Sequence, residues 1–118
     1  MSSITNWIMV FTTVVGLSAG QILFKLGATH INQDVDRSPL AWLNWPIFLA
    51  LVIYGVSTVI WIWVLRTMPL RIAYPVSALG FFFVPVLGHY FLGEDLSVRT
   101  IVGAMVIILG IVISTSNG

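Results

Sequence analysis

The sequence predicts an all-α integral membrane protein, a bundle of four transmembrane helices, and three observations carry that expectation. Hydrophobic residues make up 58% of the chain and charged residues only 8%, and mean hydropathy is +1.04, an excess that no water-soluble core explains. Apolar runs at 4–24, 46–65, 72–92 and 98–113 each approach the ~20 residues a helix needs to cross ~30 Å of hydrocarbon. The runs are continuously apolar and lack the in/out alternation of lipid-facing strands, so helices are expected over a barrel.

The predicted helices cover 4–27, 46–65, 72–92 and 98–115 of a single membrane domain, 1–118, with a polar loop at 28–45. The first segment has neither a basic region before it nor a small-residue cleavage pattern after it, so it reads as a retained helix. Gly16, Ser18, Gly20 and Gly27 stand among its large residues and allow another backbone to approach closely. The loop holds Asp34, Asp36, Arg37 and Pro39 and ends at Trp42 and Trp45, whose rings favour the headgroup level. Asn44 is a candidate N-cap for the second helix, with Pro46 in its first turn.

Residues 66–71 connect helices two and three so tightly that the two must be antiparallel neighbours. Pro75 lies in the first turns of the third helix, where a missing N–H does little harm. Pro85 lies in its middle and is expected to kink it or open local carbonyls. Residues 93–97 make an equally short link to the fourth helix. Four crossings put both termini on the side of Arg66 and Arg71, with Arg37 and Arg99 on the other, so charge encodes orientation only weakly.

Several function classes are excluded or disfavoured. The chain has no cysteine, hence no disulfide or thiolate metal site, and its net charge of +1 makes no electrostatic case for nucleic acid. No nucleophile–base pair, metal cluster or phosphate-cradling glycine loop is recognisable, so neither an enzyme nor a cofactor is expected.

The candidate ligand-binding residues begin with Lys25, the one formal charge at the end of the first apolar run, where no carboxylate stands in any of the four. A cation at the centre of a membrane helix costs roughly 2.5–3.5 kcal/mol on insertion scales, and less near an end. Gln21 lies four residues before it and Ser18 three before that, so the three share one helix face as a polar track. The ammonium either snorkels to the headgroups or, with the Gln21 amide beside it, binds an anion such as phosphate. On the third helix Tyr74, Ser77 and Phe81 fall on one face, a strip suited to an amphipathic ligand; the plainer reading is an interfacial Tyr74 and a Ser77 bonded to its own helix. Trp61 and Trp63 read as belt or packing residues, and His89 has no acidic partner within its segment. Gly103 and Gly110, seven apart, form a stripe that serves either intramolecular packing or a dimer seam.

Taken in order, these features resemble the small four-helix branch of the drug/metabolite transporter superfamily. The pieces that match are Ile72-Ala73-Tyr74 after a proline-containing hairpin, Gly93-Glu94-x-Leu96 after the third helix, and the Gly103/Gly110 stripe in the last. The small multidrug antiporters of that branch carry a glutamate eight residues before the lysine, and here that position is Leu17; the aromatic residue they place three after Tyr74 is here Ser77. A closer likeness is to the paired small subunits that flip 4-amino-4-deoxy-L-arabinose-phosphoundecaprenol across the bacterial inner membrane. It rests on Gly20-Gln21-x-x-x-Lys25 and on Ala73-Tyr74-Pro75-x-Ser77.

The resemblance implies a lipid-linked sugar as substrate and a multi-pass protein of the bacterial inner membrane. A bundle this small needs a second, inverted copy to enclose a pathway, so a homodimer or a heterodimer with a similar small subunit is expected, with Gly103 and Gly110 at the seam. Lys25 and Gln21 are then expected at the phosphate, with Ser18 on their track, Tyr74 and Ser77 at the sugar, and Arg66 or Arg71 at the mouth. The competing readings are a cation exporter of the same fold, which the missing acid disfavours, and a non-transporting accessory subunit of a membrane enzyme.

Overall fold

The computed structural model describes residues 3–33 and 39–116, and Asp34, Asp36 and Arg37 of the polar loop lie outside them. The described residues form helices α1 (Ser3–Gln33), α2 (Trp45–Leu65), α3 (Leu70–Ser77), α4 (Gly80–Leu92) and α5 (Val98–Thr115), with a short 3₁₀ turn at Pro39–Trp42. They provide four spans long and apolar enough to cross a membrane, with α3 and α4 together making the third. Among the described residues there is no strand, as a chain immersed in hydrocarbon and built from continuous apolar runs requires.

The first helix runs past its expected end, through Gln33, because nothing between Ala28 and Gln33 is a helix breaker. It pairs with α2 in antiparallel register through its small residues. A Cβ on Gly16 would collide with Ser57, one on Gly20 would lie 2.9 Å from the Tyr54 ring, and one on Gly27 would collide with Ile47. Three glycines on one helix thus let α2 approach to contact distance, which is how apolar helices associate when lipid supplies no hydrophobic driving force between them. At the far end of the pair the Thr67 hydroxyl reaches Asn6 Oδ1 at 3.4 Å.

Asn44 starts α2 and ties it to α1. Its Oδ1 accepts from the Ile47 N–H at 3.1 Å, while its Nδ2 donates to the Gly27 carbonyl at 3.1 Å and the Ala41 carbonyl at 2.9 Å. Beside it, the His30 and Trp45 rings meet edge to face at 6.4 Å, marking the level where α1 leaves the bundle. At the opposite end Val10, Val14, Val64, Met68, Ala73, Val76 and Ile111 form the buried apolar core, beneath the Arg66–Arg71 turn.

The third span is not one helix. Ala78 (φ −66°, ψ −10°) and Leu79 (φ −57°, ψ −18°) separate α3 from α4. The Ala78 N–H donates to Pro75 and the Leu79 N–H to Val76, each at 3.0 Å, and the Phe81 N–H donates to Ala78 at 2.9 Å. Bonds closed over three residues overwind the helix. The break lies at Ala78–Leu79 and not at Pro85, where the kink was expected; the carbonyl that Pro85 deprives of a donor is that of Phe81, beyond the break. The Ser77 hydroxyl donates to the Tyr74 carbonyl, the bond that the plainer reading of Ser77 anticipated.

Gly93 closes α4 in the left-handed conformation (φ 70°) that glycine adopts without strain. The Glu94 side chain folds back over Gly88, where a Cβ would lie 2.9 Å from its Oε1. His89 Nδ1 lies 2.9 Å from the Glu94 carbonyl, and because a carbonyl only accepts, Nδ1 carries the proton. Ser97 caps α5 through a 3.2 Å bond from the Thr100 N–H. Helix α5 packs on α3 and α4; its Gly103 and Gly110 are exposed, with nothing within 4 Å of an added Cβ, so they serve no packing inside this chain.

Replacing Asn44 separates its two jobs. Asn44→Ala removes the cap and the bonds to Gly27 and Ala41, and is expected to cost about 1–2 kcal/mol. Asn44→Asp keeps the acceptor for Ile47 and loses only the donors, so its thermal unfolding in detergent, followed by circular dichroism, should fall between the wild type and Asn44→Ala.

Candidate functional site

Two clefts open at the break between α3 and α4, and they share one residue, Ser77. The larger, about 400 Å³, lies between α1 and α4 and is lined by Gln21, Ser77, Gly80, Phe81, Val84 and Pro85. Gln21 is exposed into it, and its amide is the strongest hydrogen-bonding group on that wall. Pro85 has no N–H to give the Phe81 carbonyl, and both residues line this wall. The smaller cleft, about 170 Å³, is lined by Leu17, Tyr54, Thr58, Trp61, Tyr74 and Ser77.

The polar track on α1 divides by depth. Ser18 is buried, with only 2% of its surface exposed, and its hydroxyl donates to the Val14 carbonyl at 2.7 Å. It lines neither cleft. Gln21 lies nine residues below His30, or ~13–14 Å into the bundle at 1.5 Å per residue, and Lys25 lies ~7–8 Å below that level. Lys25 is exposed and, among the described residues, has no acidic partner. Its Cα–Cβ bond tilts toward the helix N-terminus, as in every α-helix, so its stem sets out toward Gln21 and away from the headgroup level.

The other sites expected from sequence divide in the same way. Tyr74 is 67% exposed and belongs to the smaller cleft. Arg66 and Arg71 are both exposed at the tight turn, and the Arg66 guanidinium lies 4.1 Å over the Trp63 ring. The sequence singles out neither Tyr54 nor Thr58, and Trp61 reads there as a belt or packing residue. Trp61 does pack against the core, yet it also lines the cleft. The available signal was their spacing, since residues 54, 58 and 61 occupy one helix face.

Comparison with known proteins agrees with this architecture. The profile of the EamA-like transporter family matches residues 2–116. A protein of Enterobacter sp. (strain 638), named a probable 4-amino-4-deoxy-L-arabinose-phosphoundecaprenol flippase subunit ArnE, is 35% identical over 106 residues, 90% of this chain and 92% of its own length. Proteins of the same name from Escherichia fergusonii (32% identical over 112 residues) and Erwinia tasmaniensis (30% over 111) each align with 94% of this chain and 97% of their own length. No solved structure matches the chain. These relatives are transporter subunits and not enzymes. With four spans and a match across almost its whole length, this chain is a multi-pass protein of the bacterial inner membrane and belongs to the EamA-like transporter family.

Proposed function

We propose that this chain is one subunit of a dimeric flippase that carries a polyprenyl-phosphate-linked sugar across the inner membrane, of the type for which its relatives are named. One observation carries the reading: Gln21 faces a cleft opened by the broken third span, and Lys25 stands one turn above it on the same helix. An amide donor and an ammonium one turn apart suit a phosphate that must leave water, and the membrane interior holds no carboxylate to repel it. Arg66 and Arg71, at the opposite end, attract the anion to the mouth of the path on that side.

A single copy leaves both clefts open to the side, and its outer α5 face presents Val102, Gly103, Val106, Gly110 and Ile113 to the surroundings. A second copy of this chain, or a similar small subunit, seats against that glycine stripe and completes the path, the two in opposed orientations as expected for a half-sized transporter. The polyprenyl tail stays in lipid while the headgroup crosses between the copies.

Lys25→Met is expected to abolish headgroup translocation in reconstituted vesicles while cross-linking still reports a dimer; unchanged translocation would refute the phosphate role. Gly103→Leu with Gly110→Leu is expected to lose the dimer, with the helical content of the monomer retained. The cysteine-free chain also allows single-cysteine mapping of the track. A water-soluble maleimide should modify Lys25→Cys fastest, Gln21→Cys more slowly and Ser18→Cys least, and equal rates at the last two would contradict the depth order.

A further inference from the structure

Arg99 is a cation in an unfavourable place on its own helix. It lies in the first turn of α5, where the macrodipole is positive and a positive side chain is disfavoured. It is exposed and, among the described residues, makes no hydrogen bond or ion pair, not even with Asp95 four residues before it. Spacing puts it on a particular line. Arg99, Gly103, Val106, Gly110 and Ile113 follow one another at intervals of four and three residues, so Arg99 stands at one end of the exposed seam. That seam is turned away from Ala104 and Ile111, the buried residues by which α5 meets its own bundle.

We propose that Arg99 sets the relative orientation of two copies of this chain by capping the C-terminal end of the second copy's α5. The assignment rests on the dimer proposed above and specifies how its two α5 helices align. Gly103 and Gly110 each lie five residues from the nearer end of α5, and Arg99 and Ser114 each lie one residue from an end. When two such helices run antiparallel with their middles together, Gly103 of each faces Gly110 of the other, and Arg99 stands level with Ser114 of the second copy. The carbonyls of that last turn lack helical donors and form the negative end of the macrodipole. Direction agrees as well. The Arg99 stem tilts toward the N-terminus of its own helix, the side to which the terminal carbonyls of an antiparallel partner also point. A parallel pair brings the glycines together just as closely but sets Arg99 against Arg99 at the positive ends of both helices, so the glycines do not choose between the two arrangements and Arg99 does. Arg66 and Arg71 do not oppose this contact, since they belong to the turn that opens α3, and α3 packs on the buried face of α5, one helix behind the seam.

Sedimentation equilibrium of the full chain in detergent micelles tests the assignment through the dimer dissociation constant. Arg99→Gln is expected to weaken the dimer roughly three- to thirtyfold, because two symmetric helix-end contacts are lost at once, and Arg99→Glu should weaken it further. Adding Ser114→Arg to Arg99→Glu should recover the wild-type dimer, since the exchanged charges meet again only when the helices run antiparallel. In a parallel pair the same double variant sets like charge against like at both ends. Arg99 is exposed, so helical content by circular dichroism should be the same in every variant. An Arg99→Glu dimer as tight as the wild type, or a failure of Ser114→Arg to rescue it, overturns the role of Arg99 and leaves the glycine seam standing. A wild-type chain that stays monomeric overturns the pairing of copies and this assignment together.

Discussion

The structure depends on one constraint: inside hydrocarbon a backbone amide must find its partner within its own segment, because no water is there to replace it. Three of the four spans meet it with unbroken helices. The third does not: the chain between Pro75 and Pro85 tightens into bonds closed over three residues, and the two prolines withhold further donors from the Arg71 and Phe81 carbonyls. The Ser77 hydroxyl satisfies the Tyr74 carbonyl at this point, and both clefts open on the same residue. The local repair of a backbone fault and the candidate binding site are thus one feature of the chain.

Packing around that fault is asymmetric. Near the Arg66–Arg71 turn the spans share a buried apolar core. On the other side of the fault α1 and α2 stay tightly joined through Gly20, Gly27 and Asn44, while α1 and α4 leave a further apolar cleft between Ala19, Leu23, Leu87 and Phe91. The α1–α2 hairpin is thus closely packed at the level of Lys25 and Gln21, and α4 stands off from α1 there.

Magnitudes decide which ligand suits the site. Transfer of an uncompensated charge to the membrane centre costs roughly 2.5–3.5 kcal/mol on insertion scales, and a contact with one aromatic face returns about 0.5–2. Aromatic rings alone therefore do not hold an isolated cation firmly in this acid-free interior. Leu17, at the position where the resembling cation antiporters carry a glutamate, fits the same balance, for it lines the smaller cleft.

Membrane residence, four crossings, helix type and the polar face of α1 were legible in the sequence, because each depends on composition or on spacing along one helix. Asn44 as a cap was legible for the same reason, since it is a local device. The position of the break at Ala78–Leu79, the burial of Ser18 away from the clefts, and the grouping of Tyr54, Thr58 and Trp61 with Tyr74 were not. Those features depend on which faces of different helices meet, and an apolar helix in lipid carries little amphipathic pattern to announce its inward face. Periodicity places residues on a face of their own helix; only the close approach of α1 and α2 at their glycines, and the bend of α3 against α4, decided which faces share a cleft.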